Sequence, residues 1–419
     1  MQVHKFGGAS LSSIDRIKNI PFIIRENVTT PAVIVISAMG KTTNALEKVT
    51  EAFYANRKED ALQLFEQIKQ QHLTSAKYLL VVQYNACLEQ FNDFFTEAEW
   101  LLHDRPVREY DYYYDQLVCI GELLSSTLVS FFLKEEKIEN QWLDVRDVIR
   151  TDNNFRDASI EWEITRQNAT EQVMPLLQQQ GIIITQGFIG STDENESTTL
   201  GREGSDYTAA IFANLIDAES QTIWKDVSSV MNCDPRQFPN PIPIPELSYE
   251  EVIEMAYYGA QVIHPKTIKP LFEKKIPLLV KCFLDPNMPG TVITRKKATA
   301  LPPIIVKKEK QVMVEFQSRD YSFIGEHSVG QLFQLFEAEK TKPNLTQNGA
   351  IRFLAIFDDN EEKLQHIATK AEAWLNVMVQ KDLTLLTVRH YNEAILSELL
   401  QGRHPLLLQQ TPDTAQVVF

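Results

Sequence analysis

The sequence predicts an α/β protein, a mostly parallel sheet sandwiched by helices and followed by a smaller α+β module, on three observations. Short continuous apolar runs such as Ala32–Ile36 and Ile182–Ile184 have the pattern of strands buried on both faces. These runs lead into polar or glycine turns that open helices, the order of an open parallel sheet. Beyond a charged, proline-bearing linker at 294–303 the text changes to shorter strands and helices without a glycine-rich anion loop.

Length and composition set the limits. At 419 residues the chain has room for two or three domains. A hydrophobic content of 44% and a charged content of 23% are those of a globular protein. No run approaches the roughly 18 uninterrupted apolar residues of a membrane span. Met1–Lys5 enters a strand directly, without the apolar core of a leader peptide. Cys87, Cys119, Cys233 and Cys282 are too scattered for a metal or redox pair, so reduced thiols and a cytoplasmic location are expected. A net charge of −15 excludes a general nucleic-acid binder, which needs a basic surface. It leaves room for a nucleotide at a local positive site.

Val3–Phe6 is a strand that runs into Gly7 and Gly8, and Ser12–Asp15 then starts a helix carrying Ile14, Ile17 and Ile20 inward. Strand, double glycine and helix make an anion cradle, with Lys5 in reach of what it holds. Alone, such a stretch is more often a tight turn beside a solvated lysine. The strand Ala32–Ile36 ends in Ser37–Asn44. Gly40-Lys41-Thr42 looks like the end of a Walker loop, but that motif needs a glycine where Val35 stands. What remains is a polar turn at a strand's C-terminal end, where open α/β sheets bind ligands. From 44 to about 133 the spacing predicts some four helices, with Gly121-Glu122 in the last. Glu122 there is either an inward partner for a cation or a surface acid. Strands are expected at 141–145 and 147–152.

Leu200–Asp206 follows the strand Gly181–Ile184 and opens a helix carrying Tyr207, Ala210, Ile211 and Leu215. Glycines bring backbone close to a ligand, the helix N-terminus offers N–H groups, and Arg202 adds a planar fork. The alternative is a glycine turn with Ser205 as N-cap; the matching turn at Gly7-Gly8 favours a site. The strand 221–224 enters a turn with Lys225, Asp226 and Arg236, suited to ribose and phosphates or equally a solvated loop. Helices at 248–258 and 265–275 and strands at 277–283 and 291–294 close this region. The module beyond has strands at 311–317, 350–357 and 376–391, the last long enough for two strands joined near Lys381-Asp382. Its helices fall at 327–338, 360–374 and 393–401, and an apolar pair, 405–409 and 415–419, ends it.

Jointly, Lys5–Ser10, Ser37–Asn44, Gly121-Glu122, Gly187–Gly190, Thr199–Asp206, Lys225–Val227, Asp234–Arg236, Gly259–Pro265 and Pro289–Thr291 give the chain a resemblance to the aspartate kinases of the amino acid kinase superfamily, with an ACT-type C-terminal region. The resemblance covers about 1–295 and implies an amino acid kinase fold there, with the helical segment 44–133 inside it. It implies an ACT-like regulatory region at 303–419 and a homodimer formed through it. It further implies transfer of the γ-phosphoryl group of ATP, carried with Mg²⁺, to the side-chain carboxylate of L-aspartate. No nucleic acid, membrane or protein-held metal enters.

Under that resemblance Lys5 neutralises the phosphoryl oxygens, Gly7 and Gly8 donate N–H groups, and Asp206 orients Lys5. Arg202 takes a carboxylate and Glu122 the ammonium of aspartate, with Ser37, Thr43 and Ser205 as hydroxyl donors. Lys225, Asp226, Met231, Arg236 and Gln261 fall in the family's nucleotide segments. Three positions depart from the family pattern. Glu203 replaces the glycine after Arg202, putting an acid beside the anion site. Met231 stands where relatives often carry a tyrosine, and Gln261 replaces a lysine, with Lys266 nearby to compensate. In aspartate kinases two ACT units interleave, each with four strands and two helices. Here 311–382 supplies most of one, while 304–308 with 384–419 supplies strands and one helix, so the second is expected to be incomplete. Two rivals remain. One is a superfamily kinase for glutamate, acetylglutamate or carbamate, against which the helical insertion and Glu122 argue. The other is a weakly catalytic amino-acid sensor, against which Lys5, Arg202 and Asp206 argue.

Overall fold

The computed structural model describes residues 1–29, 31–298 and 300–419; within the expected linker, Thr299 lies outside the described residues. The chain divides into two compact units. The first comprises Met1–Val230, Pro243–Ile253 and Gln261–Thr299, the second Met231–Ile242, Glu254–Ala260 and Ala300–Phe419.

The chain opens with β1 (Gln2–Phe6), α1 (Ile14–Asn27) and β2 (Ala32–Ile36). Ser13 caps α1 by accepting the Arg16 N–H at 3.3 Å. The glycine-poor segment forms α2 (Thr42–Tyr54), α3 (Lys58–Leu79), α4 (Tyr84–His103) and α5 (Tyr110–Glu135). Helix α5 is apolar and long enough to cross a bilayer by composition, yet nearly all of that stretch is buried in protein, as suits a core helix. Next come β3 (Gln141–Leu143), α6 (Trp162–Asn168), α7 (Met174–Gln180) and β4 (Ile182–Gln186). A hairpin, β5 (Ile189–Ser191) and β6 (Ser197–Thr199), leads to α8 (Gly204–Leu215) and β7 (Ser220–Lys225). Then follow β8 (Glu246–Ser248), α9 (Tyr249–Tyr258), α10 (Pro265–Lys274), β9 (Leu278–Cys282) and β10 (Thr291–Thr294).

Among the described residues these strands make one eight-stranded sheet, ordered β3-β4-β2-β1-β7-β9-β10-β8, and the separate hairpin. Neighbours run parallel except β9 with β10. All residues of β2 and β4 are buried, as the unbroken apolar runs require. The strand expected at 147–152 is absent as such. Asp144 accepts the Arg146 N–H at 3.0 Å and tightens Val145–Asp147 into a 3₁₀ turn. Arg150 and Thr151 keep only isolated bridges, to Ser191 and Ile160.

The second unit holds β11 (Ile304–Ser318), α11 (Glu326–Ala338), β12 (Leu345–Asn348), β13 (Arg352–Asp358) and α12 (Glu361–Ala371). It continues with β14 (Leu375–Arg389), α13 (Glu393–Leu400), β15 (Leu407–Gln410) and β16 (Thr414–Val418). They form an antiparallel sheet ordered β12-β13-β11-β14-β16-β15. Strands expected apart at 304–308 and 311–317 are one, and 376–391 is likewise one strand, β14. The turn expected near Asp382 is a bulge: its φ is 60° and the register against β11 slips there. Strand β12, short and polar at its exposed end, escaped the sequence reading. With it, the ends of β11 and β14 nearest α11 and α12 complete a βαββαβ unit in the ferredoxin-like order. Its core packs Val312, Val314 and Phe316 against Leu332, Phe336 and Ile367. The other halves of β11 and β14, with β15 and β16, carry only α13 among the described helices. Beside it, Cys233 and Phe238 of the 231–242 segment pack with Leu386, Val388, Ala415 and Val417.

Candidate active site

Because β1, β2, β4 and β7 are parallel neighbours, their C-terminal ends meet on one edge, and four turns leave from it. A cavity of about 410 Å³ opens there. Lys5, Gly8, Ser37, Thr43 and Glu122 line it from one side of the sequence, and Arg202, Ser205 and Asp206 from the other.

The turns are held together by backbone. The Gly40 N–H donates to the Gly8 carbonyl at 3.1 Å, and a Cβ on Gly8 would stand 3.0 Å from the carbonyls of Ala38 and Gly40. A side chain at Gly187 would meet Ser205 Cβ at 2.4 Å, so only glycine lets α8 begin this close to the end of β4. Ser205 is therefore not the N-cap. Helix α8 starts at Gly204 behind Glu203, whose backbone is left-handed (φ 54°), and Ser205 faces the cavity. Helix α5 is tied in by Ser125, whose hydroxyl donates to the Ser37 carbonyl at 2.6 Å.

Lys5 Nζ lies 2.6 Å from Asp206 Oδ1, and both side chains are largely buried. Burial alone would raise the Asp206 carboxyl. The ammonium of Lys5, followed by that of Lys225, outweighs it and holds the group below the ordinary carboxylate range. Glu122 has the opposite fate. Burial pushes it up to about 8, against the Ala38 N–H and the charge of Lys5. Its Oε2 has no hydrogen-bond partner among the described residues. A buried, unmatched carboxyl beside a cavity is set to receive a cationic group.

The remaining sequence candidates sit otherwise. Gly7 lies beneath the Lys5 ammonium, 3.2 Å from where its Cβ would be, and does not line the cavity. Lys225 donates to the Val262 carbonyl, Asp226 and Gln261 are exposed, and none of the three lines the cavity. Met231 and Arg236 belong to the second unit, where Arg236 is mostly exposed and paired with Asp234 at 2.8 Å. Lys266, the expected compensation for Gln261, is engaged with Asp157. Glu203 does line the cavity, with its Oε2 engaged by the His264 N–H at 2.8 Å.

The sequence reading gave no role to Tyr114, Arg156, Phe188 and Thr199, which also line the cavity, although Phe188 and Thr199 fall inside its motifs. Behind them, buried Asp115 accepts the Thr199 N–H at 2.8 Å, the Thr199 hydroxyl at 2.7 Å and the Arg156 N–H at 3.0 Å. Burial raises its carboxyl to about 6 despite these bonds. One available signal was spacing: Asp115 lies two turns before Glu122 on α5, hence on the same face.

The arrangement is a polar cavity with Lys5, Arg156 and Arg202 as cations and Glu122, Glu203 and Asp206 as carboxyls, of which Glu122 is unmatched. The chain as a whole is similar to known proteins. The model of the amino acid kinase family matches residues 1–282. Lysine-sensitive aspartokinase 3 of Escherichia coli is 32% identical over 337 residues, covering 80% of this chain and 72% of that protein. The chloroplastic aspartokinase 1 of Arabidopsis thaliana is 28% identical over 416 residues, covering 96% and 69%. The crystal structure of E. coli aspartokinase III in complex with aspartate and ADP superposes with a TM-score of 0.83 at 25% identity, covering 100% of this chain and 96% of that one. The chain belongs to the amino acid kinase family, in its aspartokinase branch.

Proposed function

We propose that the chain is an aspartate kinase, transferring the γ-phosphoryl group of MgATP to the side-chain carboxylate of L-aspartate to give 4-phospho-L-aspartate and MgADP. This is the entry step to the aspartate family of amino acids, lysine, threonine and methionine. The observation that carries the reading is one cavity holding the Lys5–Asp206 pair, the unmatched Glu122 and the Arg202 fork. The E. coli relative bound to aspartate and ADP supports it.

The chemistry follows from the charges. A carboxylate oxygen of aspartate attacks the γ-phosphorus, the bond to the β,γ-bridging oxygen breaks, and its electron pair leaves with ADP. The nucleophile is already ionised at neutral pH, so no general base is needed. Lys5 neutralises the transferring oxygens, which is most of what such a transfer asks of a protein. Asp206 keeps Lys5 aimed. Glu122 receives the substrate ammonium and Arg202 its α-carboxylate, with Ser37, Thr43 and Ser205 as hydroxyl donors. Mg²⁺ arrives with ATP as part of that substrate. Gly7, Gly8, Lys225, Asp226 and Gln261 are assigned to the nucleotide side.

In this reading 1–295 is the catalytic domain and 303–419 an ACT-like regulatory region whose second unit carries α13 alone among the described helices. Four buried free thiols suit a reducing cytoplasm. Exposed Tyr321, Phe323, Met378 and Val379 suit a homodimer through the C-terminal region.

The test is ADP release, coupled to NADH oxidation, with L-aspartate, L-glutamate or no acceptor, and hydroxylamine to trap the acyl phosphate. Aspartate-dependent release with hydroxamate is expected. Preference for glutamate, or release without an acceptor, would replace the reading. Within it, Arg202→Ala should weaken aspartate by on the order of 2 kcal/mol, about thirtyfold, and MgATP far less.

A further inference from the structure

We propose that Arg156 is a second acceptor-reading cation, binding the α-carboxylate of the amino-acid substrate beside Arg202 and so setting acceptor specificity. This rests on the aspartate kinase reading.

Three observations carry it. Arg156 lines the same cavity as Lys5, Glu122 and Arg202. Its guanidinium is oriented but loosely held. Nη1 reaches Asp111 and Nη2 reaches Glu47, each at 3.4 Å, while its face rests 4.2 Å from the Tyr114 ring centroid. Neither carboxylate takes the fork in a close two-bond grip, so a substrate carboxylate at ordinary distance outcompetes them. Third, the backbone is held against its preference. Arg156 has φ 69°, a left-handed conformation that residues other than glycine adopt at a cost.

That conformation is fixed from below. Asp115, fully buried on α5, accepts the Arg156 N–H at 3.0 Å and the Thr199 N–H at 2.8 Å. One carboxylate thus sets both the Arg156 turn and the strand that leads to Arg202. On the other side, a Cβ on Gly201 would stand 2.4 Å from Asp157 Oδ1, so the turn presses against the one bearing Arg202. Glycine would satisfy φ at 156 without strain, so the backbone turn itself asks for no guanidinium there.

Charge balance gives Arg156 its ligand. A dicarboxylic amino acid brings two carboxylates and one ammonium. The side-chain carboxylate must approach Lys5, and the ammonium goes to Glu122. The α-carboxylate is left to the two forks that share the rim of the cavity.

The experiment is steady-state kinetics of the wild type, Arg156→Gly and Arg156→Lys, with L-aspartate and with its α-amide, which keeps the side-chain carboxylate but lacks the α-carboxylate. For Arg156→Gly, KM for aspartate should rise about tenfold or more, with KM for MgATP unchanged. KM for the α-amide should hardly move, and the melting temperature should be equal or higher. Arg156→Lys should recover part of the loss. An unchanged KM for aspartate, equal rises for aspartate and α-amide, or a lower melting temperature for Arg156→Gly would overturn the proposal. A wild type inert toward aspartate would instead overturn the activity reading; calorimetric binding of aspartate to wild type and Arg156→Gly then decides Arg156 on its own.

Discussion

Glu203 Oε2 accepts the backbone N–H of His264 at 2.8 Å, from a residue whose own backbone is left-handed at φ 54°. The carboxylate therefore ties the start of α8 to the N-cap of α10, while its charge stays in the cavity lining beside Arg202. Two effects are separable by substitution. Glu203→Gln keeps an acceptor for His264 and removes the charge. KM for both anionic substrates should fall about twofold to fivefold, and high salt should close the gap, because the effect is a screened field. Glu203→Gly suits φ but loses the tie, so stability should change by no more than about 1 kcal/mol. A Glu203→Gln enzyme with raised KM values would show that the charge itself organises the turn.

Lys5 and Asp206 are the second pair. Lys5→Met should cut turnover by about a hundredfold or more while aspartate still binds. Breaking a buried pair costs roughly 3–5 kcal/mol in general, less here because Lys225 also faces Asp206. The double variant Lys5→Met/Asp206→Asn should be more stable than the sum of the singles predicts, since no carboxylate is then left alone. Thermal melts of the four proteins give the coupling. Additive losses, or near wild-type turnover for Lys5→Met, would remove Lys5 from the centre.

Much of this centre was legible in sequence because its parts are local. A glycine turn after an apolar strand, a lysine before it and an acid at a helix start each occupy a few consecutive residues. Arg156, Tyr114 and the role of Thr199 were not legible, because they meet only when α5 lies along the hairpin β5–β6 and Asp115 joins the two. The 225–236 turn read as one nucleotide segment, yet the fold divides it at Val230, and Cys233 and Phe238 enter a core with Leu386 and Val417. Residue type alone could not reveal that division. Strand β14 misled through Lys381-Asp382, since a bulge and a turn share the same polar residues.

Glu122 makes binding pH-dependent. Its folded value, about 8, lies above the unfolded value of 4.5, through burial. The free enzyme thus holds the group mostly neutral at pH 7, and only the ionised form pairs with the substrate ammonium. KM for aspartate should fall as pH rises toward 8, and Glu122→Gln should abolish that limb. The stability sign is opposite. A raised folded value favours the fold fully below pH 4.5, and that contribution is lost as pH rises through about 8. Glu122→Gln should therefore melt higher than wild type above pH 8 while binding aspartate worse. A pH-independent KM between 6 and 8.5, measured at saturating MgATP, would contradict the assignment of Glu122 to the ammonium.

The last prediction concerns feedback. In the complete βαββαβ unit the turn before α11 is the candidate effector site, and Gly325 there has open space around it. An effector such as lysine would need a free carboxylate for its side-chain ammonium. Asp320 is already engaged, accepting the Ser322 N–H at 3.0 Å and the Ser318 hydroxyl at 2.9 Å. Tyr321 and Phe323 turn outward, and Glu326 is exposed on the helix start rather than enclosed in a cavity. The other half-sheet is covered by α13 and by the 231–242 segment, where Cys233 and Phe238 pack against Leu386, Val388 and Val417. The cluster under α13 thus includes side chains from outside that half's own βα elements. Lysine and threonine should accordingly inhibit weakly or not at all at subsaturating aspartate. Half-inhibition by either at sub-millimolar concentration would show that the module still signals, and loss of that inhibition in Asp320→Ala would place the effector at the Gly325 turn.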